Sequence, residues 1–218
     1  MTDLTKVREL SAQYIQQNDP TGWFEELYSD AKGNDSAIPW ADLTVNPNLA
    51  SWIENNLQGE GKTALVVGSG LGDDAEALSA LGFAVTGFDI SPTAIAWSQK
   101  RFPNSQVNYV VDDLLNPNLI SVKTFDFILE SYTLQALPAS VRPQGMRSIS
   151  KLLAPQGRLL VICRGRDPEQ PATSLPFPLT KKELAYLEQL GLEQVAFEDY
   201  CDREPRAVRR FRIEYRLP

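Results

Sequence analysis

The chain has 218 residues, 43% hydrophobic and 22% charged, with a net charge of −7; this suits one domain with a full core. The acidic balance argues against a nucleic-acid partner, whose phosphates need a basic surface. With no His present, Ser-His-Asp and Cys-His catalysis, His-ligated metal sites and the usual general base are removed, and proton chemistry falls to carboxylates, Tyr, Lys, backbone or water.

Thr2–Asn18 forms a helix on the spacing of Leu4, Val7, Leu10, Tyr14 and Ile15, closed by Asp19-Pro20. MTDLTKVREL has no signal-peptide pattern, and no run of about 18 apolar residues marks a membrane span. Cys163 and Cys201 have neither metal-ligand spacing nor a disulfide framework. A cytoplasmic protein that binds no membrane and no metal is therefore expected. Residues 21–45 are aromatic and irregular, with Trp23, Phe24, Tyr28 and Trp40. They read either as a strap packed on the core or as a lid, with Trp40 lining a substrate cleft. Residues 1–58 are thus taken as an N-terminal helical cap and 59–218 as the core of one compact unit. Asn46-Pro47 starts a helix, Asn as cap and Pro in the first turn, and Leu49, Trp52, Ile53 and Leu57 make its apolar face.

The central stretch is TALVVGSGLGDDAEALSALGFAVTGFD, residues 63–89. Thr63–Val67 is a buried parallel strand. Gly68-Ser69-Gly70-Leu71-Gly72 follows, and its glycines let the backbone turn sharply and approach a ligand. Asp73 and Asp74 occupy the first turn of a helix, where the dipole favours negative charge. After Gly82 the strand Val85–Phe88 ends in Asp89. A dinucleotide fold places a pyrophosphate over such a helix N-terminus, usually with GxGxxG. Here the glycines fall as GxGxG and two acids follow. Charges about 4 Å apart interact by about 1 kcal/mol in water and several-fold more at protein-surface dielectric, so a pyrophosphate is repelled. A ligand cationic at this end is favoured, and S-adenosylmethionine fits, with Asp89 placed to accept hydrogen bonds from its ribose diol.

Ser91-Pro92 opens the next helix, and Ile90 either packs on an adenine face or belongs to the core. Val107–Val111 is a third strand ending in Asp112-Asp113-Leu114-Leu115. Thr124–Leu129 is a fourth, followed by Glu130-Ser131-Tyr132-Thr133. Open α/β sheets bind ligands beyond their C-terminal strand ends, so these residues face the reacting centre. A helix to Leu153, a turn at Ala154-Pro155-Gln156-Gly157 and a fifth strand, Arg158–Cys163, come next. Residues 164–179 form a long proline-rich loop. Thr180-Lys181-Lys182-Glu183 is a capping box opening a helix, and Glu193–Tyr200 is a sixth strand. In RAVRRFRIEYRL, Phe211, Ile213, Tyr215 and Leu217 share one face, and Arg206, Arg210, Arg212 and Arg216 the other. That pattern predicts a half-buried antiparallel strand with a solvated basic face.

Residues 63–89 together with GFDISPTAIAWSQKRFP at 87–103 resemble the class I S-adenosylmethionine-dependent methyltransferases. IPWADLTVNPNLASWI, YTLQALPASVRPQGM and LPFPLT resemble their thiopurine S-methyltransferase-like branch, which acts on small sulfur, selenium, halide or tellurite acceptors. The resemblance implies a three-layer, Rossmann-like α/β fold. Its seven-stranded sheet is mostly parallel with an antiparallel C-terminal strand. It implies S-adenosyl-L-methionine as cofactor, held by Gly68, Ser69, Gly70, Gly72, Asp73, Asp89, Ile90, Asp112, Asp113, Leu114 and Glu130. Within that set Asp113, with Asp112 as the alternative, approaches the adenine amino group. Two positions depart from the family. An acid two residues before the first glycine, which orients the methionine amine, is Val66 here, leaving that task to Asp73, backbone carbonyls or waters. An Asp-Arg pair after the fourth strand is Glu130-Ser131.

The expected activity is methyl transfer to a small-molecule acceptor, a thiol or a hydroxyl, by a monomer or weak homodimer. Alignment of nucleophile and methyl alone can supply roughly 7–11 kcal/mol. A thiol, with an unperturbed pKa near about 8.5, needs little base; a hydroxyl needs one, and Glu130, then Tyr132, are the candidates. Trp40 and Ser131 are placed in the acceptor pocket. The competing readings are a NAD(P)-dependent Rossmann oxidoreductase and a non-catalytic S-adenosylmethionine-binding protein.

Overall fold

Thr63–Val67 (β1) lies inside a seven-stranded sheet ordered β3-β2-β1-β4-β5-β7-β6. The other strands are Ala84–Asp89 (β2), Asn108–Val111 (β3), Phe125–Ser131 (β4), Leu153–Arg164 (β5), Glu193–Cys201 (β6) and Arg209–Arg216 (β7). The computed structural model describes residues 4–56, 58–118, 120, 123–202 and 207–218. Strands β1 to β5 pair in parallel. β7 pairs antiparallel with both β5 and β6, so the expected antiparallel strand is present but lies inside the sheet. Strand order reverses at β1, which pairs with β2 on one side and β4 on the other. The crevice beyond that reversal is the standard ligand position of an open α/β sheet.

The period-two alternation of the strands sorts side chains into two layers. Leu65, Val67, Ile128, Leu159, Val161, Phe211 and Ile213 pack with Met146 and Ile149 of α6 (Arg142–Leu152) and with Leu184 and Leu187. Ala64, Val66, Phe127, Leu129, Leu160 and Ile162 pack on the opposite face with Leu49 and Trp52 of α3 (Pro47–Asn56) and Ala75 and Leu78 of α4 (Asp73–Ala80). The result is the expected three-layer arrangement.

The predicted caps form. Asn46 Oδ1 accepts the Asn48 N–H at 2.9 Å, and Ser91 Oγ accepts the Ala94 N–H at 2.9 Å to open α5 (Pro92–Arg101). Thr180 and Glu183 make the reciprocal capping box. Its helix is broken into two single turns, α7 (Lys181–Leu184) and α8 (Tyr186–Gln189).

Four expectations need correction or restriction. Residues 21–45 are not wholly irregular: Gly22–Ala31 is a helix, α2. Its buried Trp23, Leu27, Tyr28 and Ala31 recur at i, i+4, i+5 and i+8, the apolar stripe of a helix. Residues 154–157 lie within β5, with Leu153 already paired to Phe125 and Gln156 at φ 63°; the register shift between Phe125 and Phe127 absorbs the kink. The basic face of β7 is only partly solvated: Arg216 is exposed, but α3 covers Arg212. Arg212 donates to the Asn48 carbonyl and Ser51 Oγ, both at 2.7 Å, and Arg210 is buried. Leu57, Arg206 and the expected helix's Thr2 and Asp3 lie outside the described residues.

The N-terminal helices α1 (Leu4–Gln16) and α2 join the sheet domain through one apolar cluster. Val7, Trp23 and Tyr28 meet Leu71 of the glycine loop and Ala94 of α5 there. A polar clamp sits beside it. Glu25 accepts hydrogen bonds from Ser91 Oγ (2.6 Å), Thr93 N (3.1 Å) and Thr93 Oγ1 (2.6 Å). Burial pushes the Glu25 carboxyl up, but the Ser91 and Thr93 donors outweigh it and hold the group below its ordinary value. A carboxylate lowered by folding stabilises the fold above its unfolded pKa, and that contribution is lost as pH falls through the lowered value. Glu25→Gln is therefore expected to cost about 1–3 kcal/mol at pH 7, with the gap closing as pH falls below about 4. Urea unfolding across that range measures it, and an unchanged gap at low pH would sink this account of the clamp.

Candidate active site

A cavity of about 680 Å³ opens at the C-terminal ends of β1, β2, β3 and β4. The glycine loop forms its floor. Gly68 has φ +61°, and a Cβ there would stand 2.4 Å from Thr133 Oγ1, so the loop and the turn after β4 touch through a position open only to glycine. Thr133 Oγ1 also donates to the Val67 carbonyl at 3.0 Å. Gly72 is closed in the same way, at φ +96° with Tyr109 Oη 2.4 Å from the missing Cβ.

One end of the cavity is lined by Leu71, Asp89, Ile90, Asp113, Leu114 and Leu115. Asp89 is buried; its carboxylate accepts the Gly70 N–H at 2.9 Å and the Ser91 N–H at 3.0 Å. Burial pushes its pKa up to about 6, so it is an anion at neutral pH. Each carboxylate oxygen has two lone pairs, which leaves acceptor capacity for a diol. Asp113 accepts the Leu115 N–H at 2.8 Å through Oδ1. Asp112 also lines the cavity. Its carboxylate accepts the N–H groups of Asp113 (2.9 Å), Asn118 (3.0 Å) and Ile120 (2.8 Å) and so fastens the loop after β3.

Asp73 lines the cavity but is ion-paired. Arg101 grips its carboxylate with two hydrogen bonds, at 2.7 and 2.9 Å, and donates to the Leu71 carbonyl. The charge expected to meet a cation is neutralised by a residue of α5 that no local pattern around Asp73 announced.

The wall also includes Asn46, Asp74, Ser131, Tyr132, Arg164, Leu175 and Arg210, together with Trp23, Phe24, Tyr28 and Trp40, of which Trp23 and Tyr28 also pack on Leu71. Trp40 is 37% exposed and its indole N–H donates to Tyr28 Oη at 2.9 Å. Ser131 Oγ accepts from Asn46 Nδ2 at 2.9 Å. Tyr132 holds a left-handed backbone at φ 66°. Its hydroxyl accepts from Asn48 Nδ2 at 3.0 Å, and the Arg210 guanidinium lies 4.9 Å from its ring centroid. Arg210 Nε pairs with Asp202 at 2.5 Å. Asn46, read only as a helix cap, and Arg210, read as surface, both enter the cavity wall.

Glu130 is the largest correction. Ile128 faces the α6 layer, and Glu130, two residues on, faces the same way. It is fully buried and absent from the cavity wall. Oε1 accepts the Leu134 N–H at 2.8 Å while Oε2 has no hydrogen-bond partner. Its position allows neither contact with a cofactor in the cavity nor base chemistry on an acceptor; it holds the turn that carries Ser131, Tyr132 and Thr133. Burial pushes its carboxyl up to about 7, against the backbone donors of Leu134 and Thr133 and the Arg142 charge.

The glycine cradle, the strand-end anion and the apolar wall of Ile90 and Leu114 fit a nucleoside of the S-adenosylmethionine type. Fold and cavity together define an open α/β protein with a cavity suited to a nucleoside. Residues 64–157 match the family described as methyltransferase domain. "Probable thiol methyltransferase 2" of Arabidopsis thaliana is 27% identical over 202 residues, 91% of this chain and 85% of that protein. "Thiocyanate methyltransferase 1" of Brassica oleracea is 25% identical over 69% of this chain and 65% of its own length. The solved N-methyltransferase NodS of Bradyrhizobium japonicum, in complex with S-adenosyl-L-homocysteine, shares the fold. Its TM-score is 0.70 at 18% identity, over 88% of this chain and 98% of that one. These matches support an S-adenosylmethionine-dependent methyltransferase domain over residues 64–157 rather than an oxidoreductase. Among the described residues no helix is long and apolar enough to cross a membrane.

Two outcomes follow for this site. Asp89→Ala removes the charged acceptor at the end of β2, where a hydrogen bond to an ion is worth about 1.5–3 kcal/mol. Calorimetry should show cofactor affinity weakened at least about tenfold; unchanged affinity removes Asp89 from the site. Glu130 makes an opposite pH signature to Glu25. Unfolded glutamate titrates near about 4.3, so between there and about 7 the folded state keeps a proton the unfolded state has lost. Stability falls as pH rises through that window and levels above it. Glu130→Gln should lack this loss, gaining on the wild type at pH 8 relative to pH 5 in urea unfolding.

Proposed function

We propose that this enzyme methylates a small thiol or other soft sulfur acceptor. The carrying observation is the chemistry at the ends of β4, β5 and β7. The carboxylate there, Glu130, is sealed under the turn, while the cavity wall presents Ser131, Tyr132, Arg164 and Arg210. The other carboxylates on the wall sit elsewhere or are engaged. Asp89, Asp112 and Asp113 end β2 and β3, Asp73 is bound to Arg101, Asp74 accepts from Asn46, and Asp42 stands exposed on the strap. At this end Asp74 has one oxygen accepting the Asn46 N–H, and Tyr132 is the remaining candidate base for a hydroxyl acceptor. A thiol near a guanidinium ionises more readily than in water, so the two arginines favour a thiolate. The names of the curated relatives, which refer to thiol and thiocyanate substrates, support the same class and the thiopurine S-methyltransferase-like branch.

S-adenosylmethionine, when bound, supplies a methyl group already activated by a positively charged sulfur. The chain's own work is positional. Ser131 and Tyr132 are held by Asn46 and Asn48, and Tyr132 is covered by the Arg210 guanidinium. Trp23, Phe24, Tyr28 and Trp40 form an aromatic wall in mutual edge and stacked contacts. That wall keeps water from the acceptor, and alignment of this kind is worth roughly 7–11 kcal/mol.

Labelled S-adenosylmethionine with a panel of small thiols, sulfide and thiocyanate, against matched alcohols and amines, tests the proposal. Labelled thioethers or methylated sulfur anions are expected. Turnover of only alcohols or amines overturns the acceptor class, and cofactor binding with no turnover on any acceptor overturns the activity. Arg210→Met should raise the KM for an anionic sulfur acceptor by about tenfold, the loss of one charge contact, while cofactor Kd stays within about twofold.

A further inference from the structure

The amino-acid end of S-adenosylmethionine carries an ammonium, and a buried ammonium requires a counter-ion or a full set of acceptors. Val66 offers none and Asp73 is closed off by Arg101. Asp74 is the next residue, about 100° further round the helix, and its side chain turns away from α5 toward α3 and the β4 turn. Its Oδ1 accepts the Asn46 N–H at 2.8 Å, and the Asn46 side chain reaches Ser131 Oγ at 2.9 Å. Asp74 therefore stands in the corner of the cavity shared by Val66, Asn46, Ser131 and Tyr132. The nucleoside-type residues Asp89 and Ile90 lie on the other side of the glycine loop, at the end of β2.

We propose that Asp74 is the counter-ion of the cofactor's α-ammonium, taking the place of an acid at position 66. The proposal rests on the cofactor assignment above. Burial raises the free carboxyl to about 6, a cost that an arriving cation offsets by stabilising the anion. Asp73 contributes charge on the same helix but is paired, and Asn46 supplies a neutral donor that steadies one oxygen and leaves the other for the ligand. The division of labour is one acid for the fold and one for the ligand.

The test compares two nucleosides by calorimetry on the full chain: S-adenosylhomocysteine, which has the amino-acid end, and 5′-methylthioadenosine, which lacks it. Asp74→Asn keeps an oxygen for the Asn46 N–H, and Asp74→Glu keeps the charge. Asp74→Asn should weaken S-adenosylhomocysteine at least about tenfold, the equivalent of one charge-assisted contact, and leave methylthioadenosine within about twofold. Asp74→Glu should recover part of the difference. An unchanged ratio of the two affinities in Asp74→Asn overturns the assignment. Equal loss of both ligands in Asp74→Asn and Asp74→Glu also overturns it and makes Asp74 a scaffold residue. Wild-type protein that binds neither nucleoside defeats the cofactor assignment itself, a separate failure.

Discussion

Side-chain alternation at the end of β4 decides what this cavity can do. Glu130 and Ser131 are adjacent, so they face opposite layers. Glu130 goes under the sheet toward α6 and fastens the Leu134 N–H; Ser131 goes to the cavity and meets Asn46. A slip of one residue would exchange them and place a carboxylate on the cavity wall. The register is fixed by β1 and β5, which pair Glu130 with Val67 and Val161 in continuous parallel ladders. Core packing on both faces thus sets the chemistry: the hydrophobic pattern that fixes Ile128 and Leu129 also fixes which neighbour reaches the ligand.

The same economy runs through the charged groups. The chain is acidic overall, yet few of its cavity acids present an unengaged carboxylate. Arg101 neutralises Asp73, three backbone donors hold Asp112, and two hold Asp89. Backbone N–H groups are good partners for a buried carboxylate because they add no net charge. They shape loops while leaving the anion's field to act on the cavity. Buried Asp89 and half-buried Asp74 are wall carboxylates whose pKa is raised, and both stand beside the glycine loop.

Much of this was legible in sequence because it is local. Thr63–Val67, the glycines after it, Asp89, the Asn46 and Ser91 caps and the Thr180 capping box depend on neighbours within a few residues. Each formed as its local pattern required. What was not legible depends on contacts distant in sequence. Arg101 reaches back to Asp73, and Arg210 reaches Tyr132, a partner visible only once β7 is threaded between β5 and β6. The basic face of β7 looked solvated because alternation reports two faces but not what covers each; α3 covers Arg212 on this one. Glu130 was misplaced for a related reason: strand-end position was taken as exposure to the ligand, whereas parity of the strand decides it. The α2 helix is a different kind of miss, since the i, i+4, i+5, i+8 stripe of Trp23, Leu27, Tyr28 and Ala31 was present and was masked by aromatic content.

The cavity wall comes from different parts of the chain. The glycine loop, Asp89, Ile90, Asp113 and Leu114 lie within residues 64–157, the stretch matched by the methyltransferase family. Trp23, Tyr28 and Trp40 precede it, and Arg164, Leu175 and Arg210 follow it. The family-matched stretch therefore supplies the glycine loop and the strand ends, while the N-terminal helices, the loop after β5 and the inserted strand β7 complete the wall. Trp23 and Tyr28 pack on Leu71 of the glycine loop, so the N-terminal part of the wall and the loop are coupled, and the β4 turn, fastened by Glu130 below and by Asn46 and Asn48 above, joins the family-matched stretch to the rest of the wall.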